Sequence, residues 1–175
     1  MAPFAVVVLT LASTPTWLPA TGLVALTRSG GVTGGEGQLL AQRVLWRQPD
    51  SADGLTVAVG LRGALAENEV QAVRSGGVAF RLGSAVFDRK SPTVPVPVLQ
   101  GWLQVSVGVG AFTLKDAPLA PGVFRVGPTA RVEAAVALPP LAFIGLFDVL
   151  GVFFEHGPAA MGQDLRVGVM LGLSL

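Results

Sequence analysis

The sequence predicts an all-β fold: an antiparallel up-and-down meander closed as a transmembrane β-barrel of about eight strands. Three observations carry this. Aliphatic residues alternate with small ones at period two in segment after segment. Turn-like stretches separate the segments, with no helix-sized crossover between them. The second face of the segments is Gly, Ala and Ser with about one Arg per strand. A water-facing sheet would carry Lys, Glu, Thr and Gln there.

The elements follow in order. Met1 to Thr27 is uncharged, but Pro3, Pro15 and Pro19 interrupt it, and a helix interior tolerates proline poorly. Residues 1–20 read either as a secretory signal, with Phe4 to Leu11 as its apolar region, or as a first strand. A signal normally carries a basic start, whereas the first basic residue here is Arg28. Residues 21–175 read as a single barrel domain. Leu23 to Arg28 is a short strand, and Gln38 to Gln48 a second that loses phase near Gln42 and Arg43, where a bulge is expected.

Regular alternation begins at Leu55, Val57, Val59, Leu61 and Leu65. It recurs at Val78, Phe80, Leu82 and Val86, and at Leu103, Val105, Val107 and Val109. Val132, Ala134, Val136 and Leu138 continue it, and Leu165 to Leu175 closes it. Leu141 to Glu155 supplies a less regular strand between the last two. Turns are expected over Ser29–Gly35, Gln48–Gly54, Asp88–Pro97, Lys115–Gly122 and Gly157–Gln163.

Composition narrows the function classes. Of 175 residues, 51% are hydrophobic and 13% charged, against about 25% charged in a typical soluble domain. That excludes disorder, and the 23 glycines and 13 prolines exclude a long coiled coil. The absence of cysteine excludes a disulfide scaffold and a thiolate metal site. A net charge of +1 without a basic run gives no nucleic-acid footprint. The scarcity of Lys, Ile and Asn and the lack of Tyr fit a GC-rich genome, so no role is attached to them.

The small second face suits a narrow lumen, and the aliphatic face suits lipid. Spanning strands must close, because hydrocarbon offers an exposed edge no partner. Arg62, Arg81, Arg131 and Arg166, with Glu133, then point inward. They form either a structural ion-pair cluster or a basic constriction that favours anions, the latter needing a wider barrel or gaps lined by Gly108, Gly110, Gly168 and Gly172. Ser106, on the same face, is expected to tolerate Lys if the lumen is watery. Trp46 and Trp102 fall at strand ends, where interfacial aromatics anchor a barrel. Phe112, Phe124, Phe143, Phe147, Phe153 and Phe154 could join them, giving a thin girdle without Tyr.

Other motifs are given ordinary readings. Gly30-Gly31 and Gly34-Gly35 lack the Lys-Ser/Thr of a phosphate loop and read as a flexible turn. Pro92, Pro95 and Pro97 read as an extended loop. His156, the single histidine, reads as a solvated loop residue at a strand end, with no serine near it in sequence. No catalytic residue, metal site or cofactor is expected.

The last segment carries a recognisable pattern. Arg166-x-Gly168-x-x-Leu171-x-Leu173 is polar, then Gly, then two spaced hydrophobics. It resembles the assembly signal of outer-membrane barrels, although that signal usually ends on an aromatic and this sequence ends Leu-Ser-Leu. From about Gly22 onward the chain resembles small bacterial outer-membrane β-barrel proteins in general character. The resemblance implies a bacterial outer-membrane location, with membrane lipid and the barrel-assembly machinery as partners. It also raises one enzymatic alternative, a lipid-modifying barrel hydrolase using His156. The expected function is an outer-membrane barrel with a structural or interaction role, or a narrow pore. The alternative is a soluble all-β subunit of a filament, capsid or surface assembly. The oligomeric state is not legible.

Overall fold

The computed structural model describes residues 18–28, 31–47, 53–87, 97–115, 124–142 and 147–174. The strands are β1 (Leu18–Arg28), β2 (Val32–Arg47), β3 (Asp53–Glu67) and β4 (Gln71–Phe87). They continue as β5 (Pro97–Leu114), β6 (Phe124–Ala137), β7 (Val149–Ala159) and β8 (Gly162–Ser174), with a short helix α1 (Pro139–Ala142) before β7. Each strand pairs antiparallel with the next, and β1 pairs with β8 from Gly22↔Ser174 to Arg28↔Gly168, closing the barrel. No described helix is long and apolar enough to cross a membrane.

Alternation sets which side is which. On β3 the burial pattern strictly alternates from Asp53 to Ala58, with Leu55, Val59, Leu61 and Leu65 on the outside. The same outward set continues through Phe80, Leu103, Val107, Val132, Val152 and Val169. From Leu55 to Leu65, ten residues at about 3.4 Å each and a tilt of about 40° make an apolar band about 26 Å tall. That matches the hydrocarbon thickness a spanning barrel must cover.

Small residues bring the strands close inside. A Cβ added to Gly77 would collide with the Val107 carbonyl, and one on Gly108 with the Gly76 carbonyl. Gly77 and Gly108 are cross-strand partners. Glycine here permits the tight coiling that closes so narrow a barrel.

Several boundaries differ from expectation. Gly34 and Gly35 lie in β2, not in a turn, and Gly34 faces inward against β3, where a Cβ would collide with the Leu65 carbonyl. The register of β2 shifts between Val44 and Trp46, a little beyond the expected bulge. The Gly157–Gln163 turn shrinks to Ala160 and Met161, because β7 and β8 continue pairing through Ala159↔Gly162. The signal-or-strand expectation for residues 1–20 lies largely outside the described residues, although β1 already begins at Leu18. The Pro92 and Pro95 loop also lies outside them, as do Gly30, Phe143 and the final Leu175.

Candidate functional site

The inward positions of β2 to β8 converge on one charged cluster. Cross-strand register builds it. Arg131 on β6 sits between Ser106 of β5 and Glu155 of β7, and Glu155 sits opposite Arg166 of β8. One step along, Arg81, Gln104 and Glu133 are consecutive partners across β4, β5 and β6.

Arg131 is the hub. Its Nη1 lies 2.6 Å from Glu36 Oε2, and its Nη2 lies 2.8 Å from Glu133 Oε2. Strands β2 and β6 are four apart in a ring of eight, so the bond to Glu36 crosses the lumen. Arg62 Nη2 reaches Glu36 Oε2 at 2.9 Å and Glu155 Oε2 at 3.3 Å. Arg62 also donates to Ser106 Oγ at 3.1 Å. Arg166 Nη1 lies 3.6 Å from Glu155 Oε1, and its Nη2 donates to the Pro158 carbonyl. Arg81 donates to Gln104 Oε1 at 2.9 Å and to Gln38 Oε1 at 2.6 Å. Two rings complete the shell: Trp102 stacks 4.2 Å from the Arg81 guanidinium, and Phe153 3.9 Å from that of Arg131.

Arg131, Glu133 and Glu155 are each at most 2% exposed. Charges this dry persist only when paired and hydrogen-bonded, and shared carboxylates supply the pairing. The four arginines and three glutamates of this cluster leave it with a formal charge of +1. The arrangement can hold the barrel together across its width and fill the lumen at that level.

One hairpin tip turns inward at its mouth. Pairing of β6 with β7 ends at Ala130↔His156, and pairing of β1 with β8 ends at Arg28↔Gly168. Beyond those points, among the described residues, the tip of the β7–β8 hairpin pairs only with itself. It leans over the lumen. Pro158 is buried, and a Cβ added at Gly110 or Gly127 would lie 3.3 Å from its Cδ or 3.7 Å from its Cβ. Proline suits this place, since its missing N–H is needed by no neighbouring strand.

Of the residues singled out from sequence, Arg62, Arg81, Arg131, Glu133 and Arg166 are brought together inside. Gly168 faces inward on β8, while Leu171 points outward on the strand that closes the ring. Trp46 pairs with the exposed Leu55 and so lies on the outer face near the end of β2. Trp102 does not: it is 7% exposed, inside the lumen, with its Nε1 3.5 Å from Glu133 Oε1. Its parity with Gln100 and Gln104, both buried, places it there. Phe112 and Phe153 are likewise buried inside, whereas Phe124, Phe147 and Phe154 are exposed.

His156 is not a loop residue. It lies within β7 on the outer face, between Ala130 and Leu165, with no serine among these cross-strand partners. Ser106 does not face water; it is buried against Arg62, so a lysine there would meet a guanidinium instead of solvent. Among the described residues no group of three or more His, Cys, Asp or Glu could hold a metal.

Sequence reasoning missed Glu36 and passed over Glu155 as a cluster member. Glu36 was legible in principle, since Gly34, Glu36 and Gln38 share one face of β2, alternating with Gly35 and Gly37.

No family model matches the chain, and no curated protein matches it. Solved structures do. The N-terminal β-barrel domain of Pseudomonas aeruginosa OprF is 12% identical, with a TM-score of 0.41, over 91% of this chain and 100% of that one. The outer-membrane enzyme PagL is 14% identical, with a TM-score of 0.47, over 89% and 98%. Ail, the attachment invasion locus protein of Yersinia pestis, is 9% identical, with a TM-score of 0.42, over 90% and 96%.

Proposed function

We propose that this chain is a small bacterial outer-membrane β-barrel with a structural or interaction role, and that its lumen is sealed instead of conducting. The observation that carries the reading is the outward face. Rows of exposed Leu, Val and Phe, broken by a few small residues, surround a closed ring at a height that fits hydrocarbon, while the paired charge cluster lies inside. A soluble sheet would place them the other way round.

The sealed lumen is supported by the ion pair across the barrel and by Pro158 over one mouth. An eight-stranded barrel is just wide enough for side chains to fill its interior. Membrane lipid is the proposed surrounding. The barrel-assembly machinery is the proposed reader of Arg166, Gly168, Leu171 and Leu173, which lie on the strand that closes against β1.

The test is insertion followed by conductance. The chain is expected to float with liposomes, to migrate differently on gels before and after boiling, and to pass no steady current in a planar bilayer. A detergent-free soluble protein would overturn the membrane reading. Stable ohmic channels from the inserted protein would overturn the sealed lumen.

A further inference from the structure

Two strands of the ring part before either ends. β6 starts at Phe124 and β7 continues to Ala159, yet their pairing stops at Ala130↔His156. The same register carried further would set Pro128 opposite Pro158. Neither proline has an N–H to give a ladder, so the sequence itself opens the seam at this step. β7 then turns inward. Arg166 donates to the Pro158 carbonyl, and Pro158 and Gln163 settle against Gly110 and Gly127, where no Cβ stands in the way. Phe124 to Thr129 therefore keep β5 on one side and, among the described residues, no strand on the other.

This open edge stands clear of the bilayer. From Thr27 on β1, cross-strand partners lead through Thr33, Glu67, Ala72 and Thr113 to Phe124 on β6. The other way round the ring they lead through Val169 and Val152 to Ala134. Phe124 and Ala134 lie ten residues apart, which is the stagger of the barrel. Shared evenly over the strands, that stagger levels Ala130 with Leu65, the top of the apolar band. Phe124 then stands about 16 Å above the band, at about 3.4 Å per residue and a tilt of about 40°. The outward side chains are still apolar there: Phe124 is 65% and Val126 60% exposed. Arg125 lies between them on the opposite face and is exposed as well.

We infer that this edge of β6 binds an extended segment of a partner polypeptide, added as an antiparallel strand outside the membrane. Chemistry selects the occupant. A strand edge presents N–H and C=O groups in a row, and another extended backbone answers them. A lipid has no such row. A second upright copy offers open edges of β6 and β8, which descend from the same mouth as this one does, so it supplies no antiparallel neighbour. Phe124 and Val126 suit apolar residues at alternate positions of the segment, and Arg125 suits a carboxylate on its other face. The inference deepens the interaction role proposed above and rests on that reading.

The test uses the whole protein in nanodiscs and two fluorescent peptides of alternating valine and threonine with one central aspartate. One is unmodified. The other is N-methylated along its length, which keeps the side chains and removes the donors. The unmodified peptide should bind saturably, and N-methylation should weaken it at least about tenfold, the loss of one to two hydrogen bonds. Pro128→Val with Pro158→Thr restores the donors that let β7 continue beside β6, and should remove binding. Phe124→Ser should weaken binding, and Arg125→Glu should move the preference to a peptide with lysine in place of the aspartate.

Equal binding of the two peptides, no saturable binding of the unmodified one, or undiminished binding by the double proline variant overturns the proposal. An unchanged preference in Arg125→Glu overturns the carboxylate contact. Cross-links between Val126→Cys copies that exclude the peptide would assign the edge to a second copy and overturn it too. Heat-modifiable migration checks that each variant is folded. Failure of wild type to insert would instead count against the membrane reading, so the two failures are distinguishable.

Discussion

Replacing Arg131 with Met tests the cluster at its hub. Methionine keeps much of the stem and the contact with Phe153 but removes the guanidinium. Glu133 then loses the ion pair at 2.8 Å, and Glu36 the one at 2.6 Å. Glu36 retains Arg62 at 2.9 Å; the Trp102 indole remains 3.5 Å from Glu133. One buried carboxylate is thus left without a cation at bonding distance. Breaking a buried pair from one side costs about 3–5 kcal/mol. With a urea slope of about 2 kcal/mol/M, the unfolding midpoint of the barrel should fall by about 1.5–2.5 M.

The assay is urea unfolding in lipid vesicles, followed by tryptophan fluorescence. Arg131→Met with Glu133→Gln should recover a large part of the loss, because the stranded charge is gone. A single-variant loss below about 1 kcal/mol, or strict additivity in the pair, would refute a cluster held by these contacts.

Other outcomes follow from the same geometry. Val107→Arg, at an outward position 59% exposed in the middle of β5, should cost about 2–4 kcal/mol in a bilayer; a cost near zero in vesicle unfolding would place that face in water. Ser106→Lys should destabilise by pressing a second cation on Arg62, and a tolerant variant in the same assay would mean a wet lumen. Gly108→Ala should prevent formation of the heat-modifiable band by striking the Gly76 carbonyl, whereas Gly63→Ala, with open space around its Cβ, should leave the band intact. Aqueous iodide should leave Trp102 unquenched in a variant that keeps only this tryptophan, while quenching there would place the indole outside.

The period-two rows of β3, β4, β5, β6 and β8 were legible because one face is aliphatic and the other small. That contrast survives any strand length, so the inward arginines could be named from parity alone. Their partners were harder. Glu36 sits in a glycine-rich run that reads as a turn, and only the close approach of β3 at Gly34 shows why those glycines belong to a strand. Ion pairs across the lumen, such as Glu36 with Arg131, join residues 95 apart in sequence. No local pattern encodes such a pair, because it depends on which strands face each other in the closed ring. Trp102 was misread by its place near a strand end, although its parity with Gln104 pointed inward. His156 looked like a loop residue because Gly157-Pro158 follows it, but the β7–β8 hairpin runs on past that pair.

The central claim is that the aliphatic face meets lipid and the charged face meets a dry lumen. The chain has no cysteine, so single cysteines can be placed along β5 and spin-labelled in liposomes. Labels at Val105 and Val107 should be relaxed by lipid-soluble oxygen, and those at Gln104 and Ser106 by neither oxygen nor a water-soluble nickel reagent. Relaxation of the Val105 and Val107 labels by the nickel reagent would contradict the account.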